Sequence, residues 1–211
     1  MYGPNLWPEK LPDYKNVITN YIFYLKELGT AILRGLCISL GMQEDFFIRQ
    51  FIEDPYWLFR ILCYPEQSTK GIHYLGLDNN NNNERKSEIE INSDYSCGEH
   101  TDYGCITLLL ANKKGLEVKS RSGKWFSIEP LEGAFICLIG DMIEYWTNGL
   151  YVATKHRVIT KDERISMAFF HQPNYETILQ PCQIINRGRN EIGTPIKYGE
   201  YVYKKYKVIY Q

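Results

Sequence analysis

His100 and Asp102 stand two residues apart in Gly98-Glu99-His100-Thr101-Asp102. The stretch runs into the apolar, strand-like segment 106–110, and alternate side chains of an extended backbone point to one side, so these two can share a metal ion. A third donor has to come from elsewhere. His156, in Lys155-His156-Arg157-Val158, supplies it, with 53 residues intervening after Asp102. Two imidazoles and one carboxylate on one face of a metal leave positions open for other ligands, the donor set of a non-haem Fe(II) site. The plainer reading of a lone His-x-Asp is a strand-end hydrogen bond. Context favours the metal: the chain has four histidines, and two fall in these motifs, separated by enough strand-like segments for a closed sheet to bring them together. His73 and His171 have no carboxylate at ligand spacing and are expected to be ordinary strand residues.

Arg164 and Ser166 are also two apart in an extended run, so guanidinium and hydroxyl share a face, where an arginine can hold a carboxylate through two parallel charge-assisted hydrogen bonds. Residues 160–163 read as a hairpin turn placing His156 and Arg164 on adjacent strands. The competing reading is a solvent-facing arginine paired with Asp162 or Glu163.

The elements that must position these residues divide into helices followed by strands. Apolar residues recur at helical spacing over 13–40 (Val17, Tyr21, Tyr24, Leu25, Leu28, Ile32, Leu33, Leu36, Leu40), with Gly41 as the stop. A shorter helix is expected over 43–52, before Asp54-Pro55. Extended segments follow at 58–64, 71–77, 89–96, 105–111, 116–119, 124–128, 134–139, 153–159 and 164–172, and a Tyr- and Lys-rich helix packed on the outside at 198–208. Many short strands at regular spacing indicate a sandwich or barrel. The five asparagines at 79–83 read as a mobile surface insertion, since such a tract buries too little apolar area to offset its ordering entropy. On strand 164–172, Phe170 and Ile165 are read as facing away from Arg164, Ser166 and Ala168. Tyr95, Tyr103, Phe169 and Phe170 are aromatic candidates for a pocket wall.

Length and composition bound the rest. A chain of 211 residues, 44% hydrophobic and 14% aromatic, is the size of one domain with a substantial core. Its formal net charge of −1 argues against nucleic acid or an anionic membrane as partner and for a small-molecule substrate, with no obligate protein partner evident. No apolar run is long enough to cross a bilayer and residues 1–5 begin no signal peptide, so a cytoplasmic location is expected. The six cysteines (Cys37, Cys63, Cys97, Cys105, Cys137, Cys182) form no Cys-x-x-Cys pair and read as reduced core thiols.

The ordered set Arg60-x-x-x-Tyr64-Pro65, His100-x-Asp102, Gly115-Leu116-Glu117-Val118, Trp125, Gly140-Asp141, Thr147-Asn148-Gly149, His156-Arg157-Val158 and Arg164-x-Ser166 resembles the isopenicillin N synthase-like branch of the 2-oxoglutarate and Fe(II)-dependent dioxygenases. Gly3-Pro4-Asn5-x-Trp7-Pro8 is similar to the segment preceding the long helix in that family. The resemblance covers nearly the whole chain. It implies a mainly β fold, a double-stranded β-helix or jelly roll with flanking helices, in one domain over 1–211: a helical lead-in at 1–57, a core at 58–175, and a carboxy-terminal segment and helix at 176–211. By the same resemblance the family's usual amino-terminal region, which precedes the long helix, is expected to be missing from this chain. By the same resemblance His100, Asp102 and His156 bind Fe(II), Arg164 and Ser166 bind the distal carboxylate of the cosubstrate 2-oxoglutarate, and Tyr64 hydrogen-bonds it. The activity implied uses O2 to hydroxylate, desaturate or cyclise a small organic substrate. Leu62 departs from the pattern, because plant relatives often carry Asn two positions before the tyrosine. Three alternatives stand beside this reading: an Fe(II) oxidase that holds its own substrate with the Arg-x-Ser pair or uses ascorbate as reductant, a truncated and inactive metal-binding module, and a zinc hydrolase, the last weakened by the lack of a Glu at fixed spacing to act as base.

Overall fold

A computed structural model describes residues 4–50, 55–66, 96–160, 162–182 and 194–209. Helix α1 (Tyr14–Ser39) and the short α2 (Phe46–Gln50) lead into β1 (Tyr56–Tyr64). There follow β2 (Cys97–His100), β3 (Ile106–Ala111), β4 (Leu116–Lys119), β5 (Trp125–Ser127) and β6 (Ile136–Ile139). Helix α3 (Asp141–Trp146) precedes β7 (His156–Val158) and β8 (Arg164–Gln172), and the chain closes with β9 (Ile178–Leu179), β10 (Ile196–Lys197) and α4 (Tyr198–Ile209). Two four-stranded sheets, ordered β1-β8-β3-β6 and β2-β7-β4-β5, form the jelly roll expected, and β9 and β10 make a small ribbon.

Alternation along the strands gives the fold two apolar layers. Ile106, Leu108 and Phe169 face outward from the first sheet onto the helices, where they join Leu25, Leu33, Phe47, Trp146 and Tyr198 in one core. Leu109, Leu116 and Ala168 face inward and pack between the sheets with Leu62, Val118 and Phe170. The buried stripe of α1 is Ile22, Leu25, Gly29, Leu33 and Cys37, at spacings of three and four. Val17 and Tyr24, counted in the stripe from sequence, are 61% and 67% exposed. Gly41, at φ +71, ends the helix as expected, with its N–H on Ile38 and that of Met42 on Cys37, a Schellman closure.

Four sequence expectations are corrected. β7 and β8 lie in opposite sheets and do not pair, so they are not the two arms of a hairpin; a sandwich closes by sending the chain from one sheet to the other. Phe170 shares the inward face of β8 with Arg164, Ser166 and Ala168, as even spacing on a strand requires, while Phe169 belongs to the helix-side core. Tyr198 opens the last helix but is wholly buried. Cys63 and Cys137 are exposed, whereas Cys37, Cys105 and Cys182 are buried and all six thiols are free. Helix α3 had no counterpart in the sequence reading; it buries Met142, Ile143 and Trp146. Strand 71–77, His73, the asparagine tract, Tyr95 and all of 89–96 except Ser96 lie outside the described residues.

His171 is buried beneath α1, against Gly29, where an added Cβ would come within 2.8 Å of the imidazole. Desolvation, helped by the charge of Lys26, pulls its pKa down to about 4. Between that value and the ordinary 6.5 the unfolded chain binds more protons than the folded one, so stability is lost as pH falls through this window. Moving from pH 7.5 to 5 should cost on the order of 2 kcal/mol from this group alone. Urea unfolding at both pH values should show that extra loss in the wild type relative to His171→Gln; parallel losses in the two proteins would remove this assignment.

Candidate metal centre

The ends of β2 and β7 meet across the second sheet, with His100 opposite His156 in register. Asp102 follows β2 by two residues and turns inward. One donor atom from each of the three lies within 4.8 Å of the others, the one such group among the described residues. The two Nε2 atoms sit 3.8 and 3.7 Å from the same Asp102 oxygen, Oδ1. Asp102 and His156 are buried, and His100 is half-buried.

Partners invisible to spacing orient all three groups. His100 Nδ1 donates to the Gly98 carbonyl at 2.8 Å, and His156 Nδ1 donates to the Thr154 carbonyl at 2.8 Å, which leaves each Nε2 lone pair aimed at the centre. The Thr107 hydroxyl donates to Asp102 Oδ2 at 2.5 Å, freeing Oδ1 to face the imidazoles. The loop carrying Asp102 is pinned from α3: Asp141 N–H donates to the Asp102 carbonyl at 2.8 Å and Met142 N–H to that of Gly104 at 3.0 Å. A Cβ on Gly140 would collide with the Gly104 carbonyl, so only glycine lets α3 approach this closely.

Electrostatics splits the two histidines. At His100 burial opposes the charge, but the Cys97 sulfur and Gly98 carbonyl at Nδ1, together with Asp102, outweigh it and lift the pKa to about 9. At His156 desolvation dominates, the neighbouring His100 adds to it, and the pKa falls below the usual range despite Asp102.

A cavity of about 110 Å³ runs inward from the three residues between the sheets. Its walls are largely apolar, with Leu62, Leu109, Leu116, Leu138 and Val158, and its far end is cationic. There Arg164 is 1% exposed, with Nη1 donating to Ser166 Oγ at 3.1 Å and Nε to the Lys113 carbonyl at 3.2 Å. Tyr64, opposite Arg164 in the β1–β8 register, lays its ring 5.4 Å from the guanidinium carbon. Burial raises the Tyr64 pKa and lowers that of Arg164. No carboxylate lies within ion-pair distance of Arg164 among the described residues, which excludes pairing with Asp162 or Glu163. All six residues singled out from sequence therefore line one cavity. Spacing alone does not reveal Thr107, the Gly98 and Thr154 carbonyls, or α3: five residues is an odd interval that would put Thr107 on the face opposite Asp102, and the non-strand segment 101–105 is what lets the two meet.

Residues 63–173 match the family model of the 2OG-Fe(II) oxygenase superfamily. The chain is 34% identical over 212 residues to a homoarginine-6-hydroxylase of Oryza sativa subsp. japonica, covering 99% of this chain and 58% of that protein. It is 32% identical to a 1-aminocyclopropane-1-carboxylate oxidase of Dictyostelium discoideum, covering 80% and 49%. Among solved structures it is similar to a full-length Neurospora crassa protein crystallised in complex with α-KG, with 26% identity, a TM-score of 0.79, and coverage of 96% of this chain and 61% of that one. The chain thus spans about half to three-fifths of the curated relatives it matches. With two-fifths or more of those relatives lying outside the match, it is the motif-bearing segment that carries the assignment: the chain belongs to the 2OG-Fe(II) oxygenase superfamily.

Proposed function

We propose that the chain binds Fe(II) through His100, Asp102 and His156 and 2-oxoglutarate through Arg164, Ser166 and Tyr64, and oxidises a small organic substrate with O2. The observation carrying this reading is the cavity that joins a two-His, one-carboxylate cluster to a buried guanidinium that has no carboxylate partner among the described residues. Bound together, Fe(II) and 2-oxoglutarate would let O2 act as the oxidant, one of its oxygen atoms entering the succinate formed with carbon dioxide and the other serving to take hydrogen from a substrate carbon. The protein's own part is positional. Asp102 offsets metal charge, Thr107 and the two carbonyls fix the donor orientations, and the apolar leucines keep water from the buried end. Arg164 and Ser166 hold the distal carboxylate, with Tyr64 packed against the guanidinium. The chain acts as one domain in this proposal. Hydroxylation, desaturation and ring closure are all open to such a site, and homoarginine is the first compound to try because several similar proteins carry it in their names.

Anaerobic addition of Fe(II) and then 2-oxoglutarate tests the reading. A weak visible charge-transfer band is expected, followed on admitting air by succinate formation. A second reading, an oxidase that does not consume 2-oxoglutarate, draws on the similar 1-aminocyclopropane-1-carboxylate oxidase; bound iron with no band and no succinate would favour it, with ascorbate as reductant. Free thiols at all six cysteines suit a reducing compartment, and no described helix is long and apolar enough to cross a membrane. A cytoplasmic location is therefore part of the proposal, checked by fractionation.

Thr107→Val keeps the shape and removes the hydroxyl that orients Asp102. Metal affinity, measured by calorimetric titration with Mn(II), should fall roughly 10- to 100-fold, with Thr107→Ser close to wild type. Equal affinity in all three proteins would deny Thr107 this role.

A further inference from the structure

Arg60 is the second guanidinium facing the cavity, and the reading above leaves it without a task. It lies on the inward face of β1 opposite Ala168, four residues from the pair formed by Tyr64 and Arg164, or roughly 13 Å along the strand. Unlike Arg164 it is exposed, at the mouth of the cavity and not its closed end. Its guanidinium carbon lies 5.8 Å from the centre of the Phe170 ring. Phe170 is in turn the register partner of Thr107, the residue that holds Asp102. Arg60 and Phe170 therefore stand at the end of the sheet where the three metal donors gather, away from the Arg164 clamp.

Stacking on an aromatic face occupies the flat side of a guanidinium and leaves its in-plane N–H groups free. Those donors match a carboxylate bidentately. No carboxylate among the described residues takes them: Arg60 is in none of their ion pairs. Its distance from Arg164 along β1 makes it a poor second hand for the same short dicarboxylate. We propose that Arg60, held by Phe170, is the specificity-determining residue for the oxidised substrate and selects molecules bearing a carboxylate, which it anchors at the cavity mouth beside the metal donors. This rests on the Fe(II) and 2-oxoglutarate reading above.

The test is binding without turnover. The full chain is loaded with Mn(II) and 2-oxoglutarate and titrated calorimetrically with a panel of small α-amino acids and arylacetic acids, each paired with its own carboxamide. Failure of 2-oxoglutarate itself to bind would appear before any acid is added, and would overturn the site reading and this proposal with it. Given that first step, acids that bind should do so about tenfold or more tightly than their amides. In Arg60→Ala the acid-to-amide ratio should collapse to about one, and Arg60→Lys should keep part of it, since it retains the charge but not the planar fork. A panel in which no acid outbinds its amide, or a preference that survives in Arg60→Ala, would overturn the proposal.

Discussion

His156→Ala should lower the affinity for Fe(II) by well over the roughly 10- to 100-fold that loss of a supporting hydrogen bond costs, and should abolish 2-oxoglutarate turnover. The imidazole is buried and its orientation is set through Thr154, and the smaller side chain leaves His100 and Asp102 as the remaining donors of the cluster. Both remaining donors are clamped by their own hydrogen bonds, and neither can shift to close the coordination face. The check is anaerobic calorimetry with Fe(II), repeated with Mn(II) to separate binding from oxidation. Circular dichroism should confirm an unchanged fold. Wild-type affinity in His156→Ala would sink the metal assignment outright.

The second large effect is at Arg164. A guanidinium at 1% exposure with no described carboxylate nearby has lost much of its hydration, a cost that an incoming carboxylate would offset. Removing it by Arg164→Ala forfeits two charge-assisted hydrogen bonds of about 1.5–3 kcal/mol each, so 2-oxoglutarate should bind roughly a hundredfold or more weakly. The same loss has a thermal signature. Saturating 2-oxoglutarate should raise the Tm of the Mn(II)-loaded wild type, as a ligand bound only by the folded state must, and should leave Arg164→Ala almost unmoved. Metal affinity measured without cosubstrate should be close to wild type in this variant, because Arg164 lies at the opposite end of the cavity from the donors. An undiminished Tm shift would remove Arg164 as the clamp and reopen the oxidase reading, in which the cavity serves no 2-oxoglutarate.

How far each site residue could be read in the sequence depends on what its role requires. A metal donor is defined by its own chemistry, and two donors two apart on a strand share a face by local geometry alone, so His100 with Asp102 and Arg164 with Ser166 were legible as pairs. His156 followed from the donor count. The same local rule places Phe170, six residues on, on the face of Arg164, where the structure has it. The carboxylate's support from Thr107 needed β3 to pass behind the loop, and the carbonyls of Gly98 and Thr154 carry no side-chain signature at all. Helix α3 is not legible in the sequence because six residues are too few for helical periodicity to stand out, and its value lies in tertiary hydrogen bonds to the Asp102 loop.

The sequence by itself determined the chemical inventory and the class of fold: three donors of the right kind, an arginine and a serine in phase, a long amphipathic helix, and many short strands with alternating inward and outward residues. These are properties of single residues and of periods of about 2 and 3.6, which need no knowledge of distant chain. The tertiary structure alone decided which segments are neighbours. It placed β7 and β8 in opposite sheets, so that His156 and Arg164 reach one cavity from two walls instead of lying side by side. It buried Arg164 and left Arg60 at the mouth, though both are arginines on inward-facing strand positions. Burial and long-range pairing are set by how the two sheets close and where the helices cover them, a sum over contacts remote in sequence, and that sum is what turns a list of donors into a site.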